Sequence, residues 1–581
     1  MLAEPLVAYF SMEIGLDPSI PTYAGGLGVL AGDTLRSAAD LEVPLVAVTL
    51  LHRTGYFYQR IDGEGRQQEE PVGWPIDDFL ELLPTRVGIE LLGRRVSLAC
   101  WRYRVQGISG FELPVYLLDA DLQENEPSDR RLTDSLYGGN EEYRLCQEAL
   151  LGLGGLAMLR ALGHHEIARY HLNEGHAALI VLGLLEERLA TPVGAASITQ
   201  EQIDSVREAC VFTTHTPVPV GHDQFAPELV ERVLGPSLSR RLELFTHQRE
   251  LNMTDLALRG SGYVNGVAMS HWEVSRNHFP DYKVHAITNG VHVRTWASPP
   301  FQTLFDRWLP DWRRDSLSLR YAIRIPCDEI WKAHAEAKRA LVETVNRESN
   351  AGFDLNVLTL GFARRATAYK RMALAVSDLE RLRKIAKGSG RIQLVFAGKA
   401  HPRDASGKEQ IRLLRQVHEA LRGEIPVTFL PNHDMGLARL LCAGSDVWLN
   451  TPLPPLEASG TSGMKAAVNG VPSLSVLDGW FVEGHIEDHT GWSIGEEPGS
   501  RARQRPEGDD AADARALYDK LEQVVVPCFY QTPERFQRVM RSTISINGSF
   551  YNSDRMLAQY LRSAYRLGLT ARPPRERSAS S

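Results

Sequence analysis

The sequence predicts an α/β protein built from two doubly wound units. Short apolar runs enriched in β-branched residues alternate with amphipathic stretches along the 581 residues. Such apolar runs are typical of strands buried on both faces of a parallel sheet, and the amphipathic stretches are typical of crossover helices. The length allows two to four domains. Because 43% of the residues are hydrophobic and 23% are charged, disorder, collagen and coiled coil are excluded for the chain as a whole.

Each unit has its own set of predicted strands. Five lie in the first half: Leu6–Phe10, Pro44–Leu51, Leu113–Leu118, Ala209–Thr214 and Val284–Thr288. Five more follow in the second half: Leu355–Gly361, Ile392–Phe396, Ile425–Leu430, Asp446–Asn450 and Pro472–Val476. Amphipathic spacing between the second set predicts crossover helices at Met372–Ala386 and Lys408–Leu421.

The predicted domain limits follow from this pattern. We expect an N-terminal Rossmann-like domain at 1–335 and a C-terminal one at 336–548, with the boundary region at 325–352. A helix at 549–570 is expected to pack back on the N-terminal domain. The charged, Gly- and Pro-punctuated stretch Gly495–Asp513 predicts a surface loop, and 571–581 a disordered tail.

Charge and cysteine content restrict the class of partner and the compartment. The net charge of −8 argues against a nucleic-acid or anionic membrane surface, so neither partner is expected. Six widely separated cysteines without a C-x-x-C pair predict reduced thiols in a cytoplasmic protein. The start of the chain lacks the basic region of a signal peptide, and no apolar stretch approaches the roughly 20 residues of a membrane span.

The segment Glu457-Ala-Ser-Gly-Thr-Ser-Gly-Met-Lys465 is the densest candidate for chemistry. It lies between the predicted strand Asp446–Asn450 and a helix-like run, Ala466–Asn469. A Ser/Gly/Thr-rich turn at such a place leaves backbone N–H groups free to bind an anion. The lysine could pair with a phosphate or form a Schiff base with a phosphate-bearing aldehyde. An ordinary helix start with a solvated lysine is the alternative.

A second cluster holds four cations within eight residues, directly after the first strand of the second unit: Arg364, Arg365, Lys370 and Arg371. Ligands of open α/β sheets bind at the carboxyl ends of strands. In a chain of negative net charge, a local excess of cations indicates a phosphate site. The alternative is a solvated basic helix face.

Glycines and polar residues also follow predicted strands of the first half. The loop Tyr23-Ala-Gly-Gly-Leu-Gly28 would let backbone amides approach an anion or a sugar closely, although a tight turn has the same composition. Three polar segments lie at other strand ends: His171–His176, Thr213–Thr216 and Thr288–His292. The spacing of the first is not that of a zinc helix. Sugar recognition or core histidines therefore fit better than a metal, and no metal is predicted.

Together these motifs resemble the α-glucan phosphorylases, the family of glycogen, starch and maltodextrin phosphorylases, and five of them follow one another along the chain in the family's order. The resemblance runs from Ala8 to about Tyr560 and is most specific at the segment ending in Lys465, which is similar to the family's pyridoxal-phosphate motif. It implies a GT-B architecture, in which two Rossmann-like domains face a cleft that holds the cofactor. It also implies reversible phosphorolysis of an α-1,4-glucan to α-glucose-1-phosphate with retention. The implied partners are the glucan, inorganic phosphate and glucose-1-phosphate, and a homodimer is possible.

The resemblance implies roles for individual residues as well. Lys465 matches the lysine that binds pyridoxal 5'-phosphate covalently. The other cofactor contacts would be Arg364, Thr461, Ser462 and Trp296. The catalytic residues would be Arg365 and Lys370, which match the pair that holds substrate phosphate, and His215, which matches a group bonded to sugar hydroxyls. The substrate contacts would be Gly25, Gly26, Leu27, Glu174, Asn289, Tyr369, Glu457, Ser459 and Gly460.

The chain departs from the family pattern at three places. Glu174 stands where the family has aspartate, and Ser462-Gly463 where many relatives have Gly-Asn, which resembles a shorter prokaryotic branch. The sequence also lacks the family's N-terminal extension before Ala8. Because the family's regulatory sites lie largely in that extension, the resemblance does not carry them over to this chain.

Two rival functions remain at the level of sequence. A nucleotide-sugar glucosyltransferase of the glycogen or starch synthase type would share the architecture and the Gly25-Gly26-Leu27 loop. Those enzymes usually carry a lysine at the position of Tyr23 and lack the Lys465 motif. A glucan-binding protein without catalytic activity would not need cations near a lysine suited to covalent cofactor binding.

Overall fold

The protein contains two large β-sheets. Its structure is a computed structural model that describes residues 7–189, 198–216, 223–245, 250–278, 282–495 and 510–567. In chain order the strands are β1 (Val7–Ser11), β2 (Leu45–Leu50), β3 (Tyr58–Ile61), β4 (Gln67–Glu70), β5 (Glu81–Leu91), β6 (Arg94–Gln106), β7 (Glu112–Asp119), β8 (Arg169–Asn173), β9 (Cys210–Thr213), β10 (Gln224–Phe225), β11 (Leu251–Asn252), β12 (Tyr263–Gly266), β13 (Val284–Ala286), β14 (Leu358–Ala363), β15 (Ile392–Ala397), β16 (Val427–Leu430), β17 (Val447–Asn450), β18 (Ser473–Val476) and β19 (Gly491–Ile494).

Helices connect most of these strands. In chain order they are α1 (Gly26–Asp40), α2 (Ile76–Phe79), α3 (Glu141–Ala149), α4 (Gly155–Ala161), α5 (Ile180–Glu187), α6 (Gln200–Ala209), α7 (Pro227–Leu242), α8 (Met253–Arg259), α9 (Met269–His278), α10 (Val293–Trp296), α11 (Pro299–Trp308), α12 (Cys327–Ser349), α13 (Leu379–Gly388), α14 (Ala405–Ala420), α15 (Met435–Gly444), α16 (Ser462–Val468), α17 (Phe481–Gly484), α18 (Asp510–Lys520), α19 (Val526–Gln531), α20 (Pro533–Thr543) and α21 (Ser553–Gln559).

Both sheets have the strand order of a Rossmann unit. The first runs β13-β12-β9-β8-β1-β2-β7-β6-β5 and is parallel from β13 to β7, with β6 and β5 added antiparallel. The second runs β16-β15-β14-β17-β18-β19 and is parallel throughout. The strand order reverses between β1 and β8 and again between β14 and β17. These two switch points are where open α/β sheets bind ligands.

The two predicted doubly wound units are therefore confirmed, and all ten predicted strands are present with ends shifted by a few residues. β1, β2 and β14 are buried along their whole length, as expected for strands covered by helices on both faces. Separate apolar clusters lie on the two faces of the first sheet, and another pair covers the second.

The predicted helix at Met372–Ala386 is wrong in its first part. Leu374–Val376 forms only a short 3-10 turn, and α13 begins at Leu379. Asp378 caps that helix by accepting a hydrogen bond from the Arg381 amide. Capping aspartate side chains satisfy the free amides at a helix start, which explains the late beginning. The second predicted helix is confirmed as α14.

Two further segments differ from their prediction at the start of a helix. α16 begins at Ser462 rather than at Ala466, so Lys465 lies within the helix and not before it. α18, described over Asp510–Lys520, overlaps the end of the predicted loop Gly495–Asp513, and its Asp510 and Asp513 both pair with Arg371. The rest of that loop from 496, and the predicted tail, lie outside the described residues.

The end of the described chain returns to the first sheet. The Ser37 hydroxyl of α1 contacts Ser553 at 2.6 Å and donates to Asp554 at 2.5 Å, both on α21. Beyond α21, the Tyr565 hydroxyl lies 2.6 Å from the imidazole of His171 on β8. The domain limits at 335 and 548 remain predictions, and α12 runs across the first of them.

A short hairpin joins the two halves on another side. β3 and β4 pair with each other, and Gln59 of β3 donates 2.8 Å hydrogen bonds to Gln67 of β4 and to the carbonyl of Gly398 beyond β15. All six cysteines are free thiols. No helix among the described residues is both long and apolar enough to cross a bilayer.

Candidate active site

The switch point of the second sheet brings two strand ends together. Arg364 directly follows β14, and its guanidinium donates to the side-chain oxygen of Asn450, the last residue of β17. The same guanidinium pairs with the Glu457 carboxylate at 2.5 Å. A cation predicted from sequence as a phosphate ligand thus lies at the place where the fold binds ligands.

Glu457 neutralises two buried cations at once. Besides Arg364, its carboxylate accepts hydrogen bonds of 2.5 and 2.7 Å from the Lys370 amine. Burial alone would raise the pKa of Glu457, but Arg364 and Lys370 outweigh burial and lower it to about 2. The two positive charges are therefore assembled in advance around one carboxylate, which an incoming anion could replace.

A second carboxyl group lies directly behind Glu457. Asp478 accepts hydrogen bonds of 2.9 Å from the backbone amides of Glu457 and Gly479. Burial and the nearby Glu457 charge raise the pKa of Asp478 to about 7, despite these bonds. This residue fixes the backbone that carries Glu457.

Lys465 lies on α16 in a buried position against Trp296. Its amine is 4.1 Å from the centre of the indole ring, and it makes no hydrogen bond or ion pair within the described residues. Burial lowers the pKa of Lys465, and Asp33 opposes this effect. A buried lysine without a partner and with a lowered pKa has the properties of a nucleophilic amine.

Three of the predicted substrate contacts are suited to a ligand, because two of them have unpaired polar atoms and the third is a glycine. The Ser459 hydroxyl and the side-chain oxygen of Asn289 are buried without a hydrogen-bond partner in the described ranges. Gly460 has φ +82°, and a Cβ there would lie 3.1 Å from the Glu457 carboxyl carbon and 3.2 Å from Arg364 Nη2. Only glycine fits this position, and the unpaired atoms are suited to a polar ligand.

Arg365 and Tyr369 border the open side of the site. Arg365 is exposed and has no ion-pair partner in the part of the chain that the structure describes. The surroundings desolvate its guanidinium, but Tyr369 and Glu13 outweigh this and raise its pKa. The Lys370 amine lies 4.5 Å from the centre of the Tyr369 ring. Arg365 is thus a free cation beside the paired ones.

The glycine loop of the first half is held by Glu13. One oxygen of this carboxylate accepts hydrogen bonds from the Ala24 and Gly25 amides at 2.7 and 3.2 Å, and the other accepts from Tyr137 at 2.9 Å. A Cβ at Gly25 or Gly26 would meet no atom within 4 Å. The loop, with half-buried Leu27, therefore leaves open space beside it.

The two switch points meet beside this loop, where the charge of Glu13, just beyond β1, helps to raise the pKa of Arg365, just beyond β14. The amide of Met435, at the start of α15, donates to the Tyr23 hydroxyl at 3.0 Å. On the same side, Lys465 of the second half contacts Trp296 of the first. The predicted glycine loop and the predicted cations therefore belong to one site.

His215 and Glu174 lie at the switch point of the first sheet. The imidazole of His215 donates from Nε2 to Asn173 at 2.7 Å, and burial lowers its pKa to about 3. His215 is therefore neutral near pH 7. The Glu174 carboxylate accepts from the His215 amide at 2.8 Å and from Thr216 at 3.0 Å. Glu174 thus supports the loop that carries His215.

Three predicted residues remain to be placed: Thr461, Ser462 and Arg371. Thr461 precedes α16 without a side-chain cap, and Ser462 accepts a hydrogen bond from Trp448 at 3.2 Å. Arg371 does not belong to the group of cations around Glu457. Its guanidinium instead donates to backbone carbonyls and pairs with Asp513 at 2.8 Å.

One group of possible metal ligands lies outside the cation cluster. Oxygen or nitrogen atoms of Glu148, His176 and Asp223 are within 4.8 Å of one another. Arg144 pairs with Asp223 at 2.5 Å and approaches Glu148 at 3.5 Å, so a positive charge already occupies this place.

Sequence reasoning missed four residues of the site: Glu13, Asp33, His433 and Asp478. Glu13 follows β1 by two residues, and Asp478 follows β18 by two, so an acidic residue just beyond a buried strand was the available signal. Burial and the Lys465 charge lower the pKa of His433 to about 3, and its Nε2 is buried without a partner in the described segments. Nothing in the sequence around His433 marks it.

Two Rossmann-type sheets whose switch points meet in this way define a GT-B glycosyltransferase. Comparison with known proteins narrows the class. The family model for carbohydrate phosphorylase matches residues 222–551, more than half of the sequence. The chain belongs to the carbohydrate phosphorylase family.

Individual relatives extend the similarity over nearly the whole chain. It is 39% identical to the maltodextrin phosphorylase of Thermococcus litoralis, over 97% of this chain and 70% of that protein. It is 38% identical to the glycogen phosphorylase of Mycobacterium tuberculosis, over 96% of this chain and 70% of that protein. It is 34% identical to the glycogen phosphorylase of Aquifex aeolicus, over 96% of this chain and 86% of that protein.

Proposed function

We propose that this chain is an α-glucan phosphorylase that carries pyridoxal 5'-phosphate on Lys465. It would catalyse the reversible reaction of an α-1,4-glucan with inorganic phosphate, giving α-glucose-1-phosphate with retention. The observation that carries the proposal is the buried set of two cations on one carboxylate, Arg364 and Lys370 on Glu457, beside an unpaired lysine. Its relatives are named as maltodextrin and glycogen phosphorylases, and nothing found favours the synthase alternative.

The residues present fit this cofactor. Lys465 supplies a buried amine for covalent attachment, and Trp296 provides an apolar face beside it. Arg364 supplies a charge for the cofactor phosphate, and Gly460 leaves the space that a Cβ would fill. When bound, pyridoxal phosphate would supply a phosphate group that exchanges a proton with the substrate phosphate.

The cations of the site would hold two phosphate groups close together. Like charges repel strongly in a low-dielectric cleft, so a single cation would be insufficient. Arg364 and Lys370 would exchange their contact with Glu457 for phosphate oxygens, and the free Arg365 would add a third positive charge. Fixed charges of this kind also stabilise the charge that develops as the glycosidic bond breaks.

The polar groups around the cations would orient the sugar. His215 donates through Nε2 to Asn173 and is therefore left with Nδ1 as an acceptor for a hydroxyl. Asn289 and Ser459 each present a polar atom without a partner among the described residues. No side chain is proposed as a covalent nucleophile.

Location and partners follow from the same proposal. Free thiols at all six cysteines support a cytoplasmic protein. The proposed partners are the glucan, inorganic phosphate and glucose-1-phosphate, and the homodimer remains a prediction of the family resemblance.

The proposal is tested by an absorbance spectrum of purified protein and a phosphorolysis assay on maltodextrins. We expect bound cofactor and phosphate-dependent release of glucose-1-phosphate in the unaltered protein. Lys465→Ala should lose the covalent cofactor, its near-ultraviolet band and the activity, because no other buried amine faces Trp296 in the described residues. Full activity of this variant without added pyridoxal phosphate would contradict the proposal.

Arg365→Ala tests the anion site separately. Loss of the free cation should raise the KM for phosphate and lower kcat, by about 100-fold in kcat/KM, since a charged hydrogen bond to an anion contributes roughly 1.5–3 kcal/mol. Arg403→Ala is the matched control, because it removes an exposed arginine from the segment that follows β15. Unchanged phosphate kinetics in Arg365→Ala would remove this residue from the site.

A further inference from the structure

Trp296 is held on its edge, on its backbone and on its face by three residues from two parts of the chain, α1 and α16 with its C-cap. Its indole N–H donates to the Asp33 carboxylate at 2.8 Å, and its carbonyl accepts from the Asn469 side chain at 2.8 Å. The face of its ring lies 4.1 Å from the Lys465 amine. A completely buried ring with all of these contacts has one orientation only.

Asn469 ties this tryptophan to the helix that carries the lysine. The side-chain nitrogen that donates to Trp296 also donates to the Lys465 carbonyl at 3.0 Å, and its oxygen accepts from the Ser298 amide at 2.8 Å. The backbones of Trp296 and Lys465 are therefore held at a constant separation. The position of the lysine side chain then depends on the orientation of the indole.

Asp33 sets the orientation of the indole and lies, like Trp296, in the half of the protein opposite to Lys465. It lies on α1, is completely buried, and makes a second, longer contact of 3.4 Å with Arg36. A buried carboxylate needs hydrogen bonds and a compensating charge. Of these two contacts the indole N–H supplies the shorter, which indicates that Asp33 interacts with Trp296 more closely than with Arg36.

The charges around the ring give the carboxylate a second effect. Burial lowers the pKa of Lys465, whereas Asp33 and Cys442 raise it, Asp33 more strongly. Arg439 lies 6.0 Å from the same ring and is subject to the same opposition between burial and Asp33. Asp33 is thus the main acidic group acting on a lysine that has no partner in the described parts of the chain.

We propose that Asp33 is a positioning residue that acts through the Trp296 indole to hold the Lys465 amine in place for covalent attachment of the cofactor. The inference rests on the proposed function, because it presumes that pyridoxal phosphate is bound at Lys465. It assigns to α1 of the first half a part in attaching a cofactor to the second half.

The first test is the rate at which hydroxylamine removes the cofactor from the full-length protein, followed by absorbance. Asp33→Ala should accelerate removal by about tenfold, and Trp296→Phe by a similar factor. The double variant should be no faster than the faster single variant, because two residues that act through one contact are not additive. Asp554→Asn is the control, since it removes a carboxylate that contacts α1 without touching the indole.

The second test is a pH profile that a purely structural role would not move. After removal of the cofactor, the rate of its reattachment should rise with pH as the lysine amine loses its proton. Asp33→Asn keeps an oxygen to accept the indole N–H but removes the negative charge. The midpoint of the pH profile of reattachment should therefore shift to lower pH in Asp33→Asn. If Asp33→Ala fails to fold, Asp33→Asn still tests the proposal.

The outcomes separate the two proposals. Removal from Asp33→Ala at the rate of Asp554→Asn, additive effects with Trp296→Phe, or an unshifted midpoint in Asp33→Asn would each overturn the role of Asp33. Absence of bound cofactor from the unaltered protein, even after incubation with pyridoxal phosphate, would instead overturn the proposed function.

Discussion

Two neighbouring carboxyl groups, Glu457 and Asp478, have pKa values displaced in opposite directions by their surroundings. Both are buried, but Glu457 faces two cations, whereas Asp478 faces backbone amides and Glu457 itself. One carboxyl group is thus held ionised, while the other titrates near neutral pH. Environments that separate the pKa values of paired acids in this way are common in functional sites.

Asp478 should make the stability of the protein depend on pH. Its pKa rises from 3.8 in an ordinary environment to about 7 in the folded protein. Between these values the folded state retains a proton that the unfolded chain has released, so the free energy of unfolding should fall as pH rises, by at most about 1.4 kcal/mol per pH unit. Asp478→Asn should abolish this slope.

The measurement is urea unfolding of both proteins at pH 5, 6, 7 and 8. The difference in unfolding free energy between Asp478→Asn and the unaltered protein should change steadily up to pH 7 and then level off. Parallel pH dependences of the two proteins would show that Asp478 does not titrate in this range.

At the level of elements, the hairpin of β3 and β4 joins the halves through buried amides. Gln59 accepts from the Asn432 amide at 2.8 Å, in addition to its bond to the Gly398 carbonyl. Gln67 donates to the Ala400 carbonyl at 2.8 Å and accepts from its amide at 3.0 Å. The hairpin therefore completes the backbone hydrogen bonding of loops that follow β15 and β16.

Gln67→Ala should destabilise the contact between the halves. It would leave both backbone groups of Ala400 without their side-chain partner, at a cost of roughly 1–3 kcal/mol for each buried group. Gln68→Ala, on the exposed side of the same strand, is the matched control. Denaturant midpoints should fall for the first variant only, and equal midpoints for the two would contradict the role of the hairpin.

Element prediction succeeded where burial is two-sided and failed where polar residues lie in the sheet. β1, β2 and β14 are continuous apolar runs, and their strands were predicted. β12 was not predicted, and β8 was expected only as a strand end at His171–His176. β8 contains His171 and Asn173, which are buried by partners distant in sequence. The spacing of residues along the sequence does not reveal that such buried polar groups will find hydrogen-bond partners in distant parts of the chain.

At the scale of the whole molecule, the site exists only where the two sheets meet. Arg364, Lys370 and Lys465 come from the second half, and the glycine loop and Trp296 from the first. The family motifs predicted most of these positions, because each motif is local. The pairing of Arg364 and Lys370 with Glu457, and the support of the glycine loop by Glu13, depend on distant contacts that no local pattern contains.

Cofactor binding should therefore stabilise the whole protein. Pyridoxal phosphate at about one hundred times its dissociation constant should raise the free energy of unfolding by about 2.7 kcal/mol, because it binds the folded state only. Calorimetry with and without the cofactor measures the shift in Tm. Lys465→Ala should show a smaller shift, and an equal shift in both proteins would place the cofactor away from this lysine.

The return of α21 to the first sheet, through Ser37 and Ser553, has a mechanical consequence. The polypeptide passes between the two halves twice, once along α12 and once before α21. The two crossings therefore connect the halves at two separate places along the backbone. A cut at either crossing alone would leave the halves joined by the other.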